Sequence, residues 1–132
     1  MIRDIFSSRG VVDQIRQSLL HVRDRNIRGV FDSLSSVILV ADNFKAPISL
    51  LSQIIANNKA NQHNNIFTIH ADVHEKYIIK ALEHYADGVL KLTYNDEGKP
   101  ILRIVKAEGY GRIETNEFLY LPEPGKVVLE PI

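Results

Sequence analysis

Cysteine is missing from all 132 residues, which removes disulfides, zinc–thiolate sites and a thiol nucleophile from consideration. No apolar run approaches the roughly 20 residues of a membrane span. Met1 to Gly10 is polar and mixed in charge, unlike a secretory signal. No internal repeat and no low-complexity segment stands out. Net charge is lacking too: Lys plus Arg number 16 and Asp plus Glu number 16. A neutral chain gives no reason to expect nucleic acid as a partner, and it weakens the colloidal repulsion that opposes self-association. These absences lead to the expectation of a cytoplasmic protein with no membrane partner.

The composition that remains is 45% hydrophobic and 24% charged, ordinary for one soluble domain with a single core. Val12, Ile15, Leu19 and Val22 fall at helical spacing, predicting a helix over Val11 to Arg25 that stops near Asn26. Arg16, Arg23, Arg25 and Arg28 cluster near its end, with Asp13 and Asp24 among them. Ile27 to Phe31 then makes a short apolar strand ending in Asp32. Ser33 to Ser36 suits the start of a short helix before apolar Val37 to Val40. Pro47 fits the first turn of a helix with a broad apolar stripe, Ile48, Leu50, Leu51, Ile54 and Ile55. Asn57 to Asn65 reads as a helix end plus a turn.

Ile66 to His70 predicts a second strand, and Val73 to Tyr85 a helix presenting Val73, Tyr77, Ala81, Leu82 and Tyr85. Val89 to Tyr94 and Ile101 to Lys106 form a hairpin about the Asn95–Gly98 turn. Glu117 to Leu121 and Val127 to Leu129 form another, with Pro122, Pro124 and Gly125 in its turn. Alternating helix and strand imply parallel pairing, and the hairpins add an antiparallel edge.

Three segments in this order carry a family resemblance. Arg28-Gly-Val-Phe-Asp-Ser-Leu-Ser-Ser-Val37 is similar to the Walker B segment of KaiC-like members of the RecA superfamily. Ile66-Phe-Thr-Ile-His70 followed by Ala86-Asp-Gly-Val-Leu-Lys-Leu92 resembles that family's next strand, helix and "A-D-G-V" strand opening. Leu102-Arg-Ile-Val-Lys-Ala-Glu-Gly109, then Arg112 and a strand at Phe118, resembles its Lys-x-Arg-Gly segment. The resemblance covers about Val11 to Ile132, and it looks like the C-terminal half of a RecA/KaiC-type ATPase core. It implies an α/β fold over residues 1–132 as one domain: a three-layer RecA-like partial core, with a mixed, mostly parallel sheet flanked by helices and C-terminal antiparallel hairpins. It also implies nucleotide at the carboxyl ends of the strands, and assembly in which one subunit reaches its neighbour's nucleotide.

The family's phosphate-binding loop, Gly-x-x-x-x-Gly-Lys-Ser/Thr, is not present. Lys follows Gly only at Gly98-Lys99 and Gly125-Lys126, with no earlier Gly at the right distance and with Pro100 and Val127 in place of the hydroxyl residue. Without backbone N–H groups to cradle phosphate, hydrolysis by this chain alone is not expected, and no cofactor is expected. ATP and Mg²⁺ would enter only if a P-loop half came from elsewhere.

By resemblance, Asp32, Ser33 and His70 are the residues near nucleotide and Mg²⁺. Asp32 has two readings: a carboxylate holding a Mg²⁺-bound water, or a cap on the following helix. The missing loop favours the cap, and Ser33 shares that reading. His70 corresponds to a γ-phosphate-sensing position, or it is a polar strand end. His70, Asp72, His74 and Glu75 lie close in sequence but lack His-Glu-x-x-His spacing, and no metal site is expected. Lys106 and Arg112 match the trans-acting basic positions. Lys106 reads equally well as a strand residue ion-paired with Glu108 or Glu117. Glu108 stands where the family has Arg, and a carboxylate there repels phosphate.

Three readings follow. The chain opens on Met1, so the first expectation is a degenerate, non-catalytic RecA/KaiC-like domain that self-assembles or binds a partner. The second is the C-terminal part of an active ATPase whose P-loop half lies outside this chain. The third is an unrelated α/β enzyme domain. Because the missing half would place strands beside the Asp32 strand, a homo-oligomer or a protein partner is expected to cover an open sheet edge.

Overall fold

A computed structural model describes residues 26–132 except Asp42, together with Gln14, Gln17 and Ser18. The expected helix at 11–25 and its arginines Arg16, Arg23 and Arg25 otherwise lie outside the described residues. The chain divides into two compact units, Met1–Tyr85 and Ala86–Ile132.

In the first unit, β1 (Arg28–Phe31) leads into α1 (Leu34–Val40) and α2 (Lys45–Asn61). These are followed by β2 (Asn64–Phe67), a 3₁₀ turn (Ala71–Val73) and α3 (Lys76–Tyr85). β1 and β2 pair in parallel, with Val30 opposite Ile66 and Phe31 opposite Phe67. Such a pair needs a crossover connection, which α1 and α2 supply. Strand alternation sends Phe31 and Phe67 inward, where their rings stack at 5.4 Å between centroids. Val30 and Ile66 point the other way and stay 69% and 65% exposed.

The core gathers Leu34, Val37 and Ile38 of α1, Leu50, Leu51 and Ile54 of α2, and Leu82 of α3. Each such side chain contributes roughly 1.5–3 kcal/mol by leaving water. Pro47 is buried in the first turn of α2, where its missing N–H removes no intrahelical bond. The helix stops at Gln62, which takes a left-handed conformation (φ 58°, ψ 37°), but Asn64 and Asn65 of the Asn-rich stretch pair with Arg28 and Gly29 as the start of β2, so β2 runs Asn64–Phe67 and not over the expected Ile66 to His70. α3 starts at Lys76, three residues after the expected Val73, because Ala71–Val73 winds as a 3₁₀ turn and His74 is extended. The inward face of α3 therefore centres on Ile78 and Leu82, while Val73 and Tyr77 are 55% and 53% exposed.

The second unit is a four-stranded antiparallel meander in the order β3 (Gly88–Tyr94), β4 (Pro100–Ala107), β5 (Glu117–Glu123), β6 (Lys126–Pro131). Asn95 sets the first turn, its Oδ1 accepting the N–H groups of Glu97 and Lys99 at 3.0 and 2.8 Å. Pro124 and Gly125 fill the last turn, with Gly125 at φ 74°. Pro122, expected in that turn, is instead a strand residue opposite Val127. Register aligns Leu92, Leu102, Phe118 and Pro131 in one row across the sheet, and Thr93, Ile101, Leu119 and Glu130 in the next. Successive rows face opposite sides.

The fold is thus mixed α/β, but parallel pairing is confined to β1 and β2 among the described residues. The expectation of a mostly parallel sheet overstated it. Tight turns at Asn95 and Pro124 leave no room for the crossover that a parallel neighbour requires. Among the described residues, no helix is long and apolar enough to cross a membrane.

Candidate functional site

Asp32 and Thr68 stand at the carboxyl ends of the two parallel strands. Thr68 is held through both its backbone groups, by the end of β1 and by the start of α1. Its N–H donates to the Phe31 carbonyl at 3.0 Å, and its carbonyl accepts from Leu34 N–H at 2.9 Å. Its hydroxyl donates to Asp32 Oδ1 at 2.6 Å, a short contact typical of a charged acceptor. Both residues are exposed.

This bond corrects the helix-capping reading of Asp32. Ser33 occupies the N-cap position of α1, yet its side chain makes no capping bond, and its Oγ lies 3.4 Å from Ser36 Oγ. The extended backbone at Ser33 (φ −127°, ψ 153°) turns the chain from strand into helix without side-chain help.

Behind this rim sits a polar contact that the sequence did not announce. Ser35 is 2% exposed. Its Oγ accepts the backbone N–H of His70 at 2.9 Å and lies 2.8 Å from His74 Nε2. Ser35 thereby ties α1 to the segment after β2, and the exposed His70 side chain is anchored through its backbone. His70, Asp72, His74 and Glu75 do not converge: no group of three or more metal-ligating side chains gathers among the described residues. Thr68 carried a signal, a hydroxyl at a strand's carboxyl end. Ser35 carried none, because a serine in an amphipathic helix is ordinarily outward.

Lys106 and Arg112 belong to the second unit. Lys106 Nζ pairs with Glu108 Oε1 at 3.0 Å, as the ion-pair reading had it, and Glu117 pairs with Arg103 instead. Arg112 is exposed in the connection between β4 and β5.

Chemically, the Asp32–Thr68 pair offers one free carboxylate oxygen and an oriented hydroxyl, a donor set suited to a water on a hydrated divalent cation. A triphosphate does not fit these residues alone, since the chain has no glycine-rich run of N–H groups to surround it.

No protein-family model matches the sequence, and no curated protein matches it at a significant level. Among solved structures, the crystal structure of a KaiC-like protein from the hyperthermophilic archaeon Pyrococcus horikoshii superposes with a TM-score of 0.60 at 19% identity. The match covers 96% of this chain and 55% of that one, so the chain spans about half the length of its structural neighbour. At this identity the likeness speaks to the fold alone, and the chain has a KaiC-like, mixed α/β fold.

Proposed function

We propose that this chain is a RecA/KaiC-like unit, built on part of that family's three-layer core, which acts by assembly and does not hydrolyse ATP alone. One observation carries the reading. The Asp32 carboxylate is oriented by Thr68 at the strand ends, while the sequence has no loop to hold phosphate beside it. Phosphoryl transfer depends on positioning and charge neutralisation, and the chain supplies only a fraction of either. Glu108 beside Lys106 works in the same direction, because its carboxylate offsets the cation that would approach phosphate. Assembly draws support from Val30 and Ile66. Parallel sheets are ordinarily covered on both faces, and among the described residues these two side chains stay largely exposed. The partner is a second copy or a protein that covers an open edge of the β1–β2 sheet, in the cytoplasm and without nucleic acid. Calorimetry with Mg-ATP tests the reading: no micromolar binding is expected, and a Mg-dependent signal that vanishes in Asp32→Ala overturns it.

The 55% coverage of the neighbour favours a second reading, in which the chain is the C-terminal part of an active ATP-binding ATPase. Asp32, Ser33 and His70 would then lie near Mg²⁺ and nucleotide held by a P-loop half, with Lys106 and Arg112 acting in trans. Reading the gene upstream for a continuous frame into a P-loop separates the two.

A further inference from the structure

We infer that the groove between α1 and the start of α3 is a binding site for a small organic cation with an apolar body. The groove lies within the first unit and offers about 460 Å³, inside the range of about 300–1,000 Å³ usual for ligand sites. Ile38 of the core and Ile78, packed against that core, line it together with Leu39, Phe44, Val73 and Tyr77. Leu39, Val73 and Tyr77 are 64%, 55% and 53% exposed, so the fold leaves this apolar lining open to a ligand. The groove shares no residue with the Asp32–Thr68 pair, and the inference is independent of the assembly reading.

The polar groups of the lining select the ligand's charge. None of the described lining residues is Lys or Arg, so a phosphate or carboxylate ligand finds no fixed cation there. Asn43 Oδ1 already accepts the Lys45 N–H at 3.0 Å, and His74 Nε2 lies 2.8 Å from Ser35 Oγ. Glu75 supplies the one carboxylate, and its side chain has no hydrogen bond or ion pair among the described residues. An ammonium group beside it gains a charge-assisted hydrogen bond. The aromatic rings favour the same ligand. Phe44 and Tyr77 meet edge to face, with centroids 5.4 Å apart and planes at 77°. The face of an aromatic ring attracts a cation that comes within about 6 Å. The N-terminal end of α3 carries partial positive charge, which favours an anion. Glu75, the residue before Lys76, already stands there as that anion.

Three probes on one scaffold test it: 2-phenylethylammonium, neutral 2-phenylethanol and anionic phenylacetate. Each is titrated into the whole chain and followed by amide chemical shifts. The ammonium should give saturable shifts concentrated at Leu39, Phe44, Val73 and Tyr77. It should bind about two- to fivefold more tightly than the alcohol, the worth of an exposed ion pair. Phenylacetate should bind more weakly than either. Glu75→Gln should erase the preference for the ammonium and leave the alcohol's affinity unchanged. Tyr77→Ala should weaken both ligands, and Tyr77→Phe should retain both. Glu75 and Tyr77 are exposed, so these variants should keep the wild-type far-UV circular dichroism spectrum. Shifts scattered over the surface, phenylacetate bound as tightly as the ammonium, or a cation preference that survives Glu75→Gln would each overturn the inference.

Discussion

The Thr68 hydroxyl donates to Asp32 Oδ1 at 2.6 Å across 36 positions of sequence. Removing it while keeping the side-chain shape, in Thr68→Val, should lower stability by about 0.5–1.5 kcal/mol, the ordinary worth of one such bond. Thr68→Ser should retain most of it. Urea denaturation of the three proteins measures the difference.

Ser35→Ala should cost more, about 1–3 kcal/mol, because it leaves the His70 N–H without its acceptor beside a buried site. His74→Ala keeps the Ser35–His70 bond and should cost less. Amide exchange gives a local readout: the His70 N–H should exchange faster in Ser35→Ala than in His74→Ala.

Leu50, 1% exposed, lies at the centre of the first unit's core. Leu50→Ala should destabilise that unit by about 2–5 kcal/mol. Leu92→Ala, at a 65% exposed position, should change stability by no more than about 0.5 kcal/mol. Chemical denaturation followed by circular dichroism separates the two.

Gly29 lies opposite Asn65 in the parallel ladder, and a Cβ added there would collide with the Asn65 side-chain amide. Asn65 Nδ2 in turn donates to Asn58 Oδ1 at 2.8 Å. Gly29→Ala should therefore cost about 1–3 kcal/mol through overpacking. Combined with Asn65→Ala the costs should be strongly non-additive, as a double-mutant cycle would show.

Much of this architecture was legible in the sequence because local signals and the fold agree. Alternation at Phe31 and Phe67, the apolar stripe about Leu50 and Leu51, and the Asn95–Gly98 turn each point to the element they form. The proportion of parallel pairing was not legible, since a β-strand's sequence does not state which way its neighbour runs. The helix start at Lys76 was hidden because Val73 continues the apolar spacing of α3, while His74 is drawn out of helix near Ser35. At the site, the position of Asp32 was legible and its hydrogen-bond partner was not. A carboxylate that can cap a helix or accept a hydroxyl is decided by what the next strand brings alongside, here Thr68.

The strand order has a consequence in time. Each strand of the second unit pairs with its sequence neighbour, and closing a short loop costs less entropy than closing a long one. β1 finds β2 only after the chain from Asp32 to His63 has folded back, a non-local contact of the kind that slows folding. On a ribosome working from the N-terminus, Asp32 is made well before its hydrogen-bond donor. The carboxylate waits unoriented until Thr68 has been synthesised and α1 and α2 have packed, so the candidate site matures with the crossover and cannot precede it.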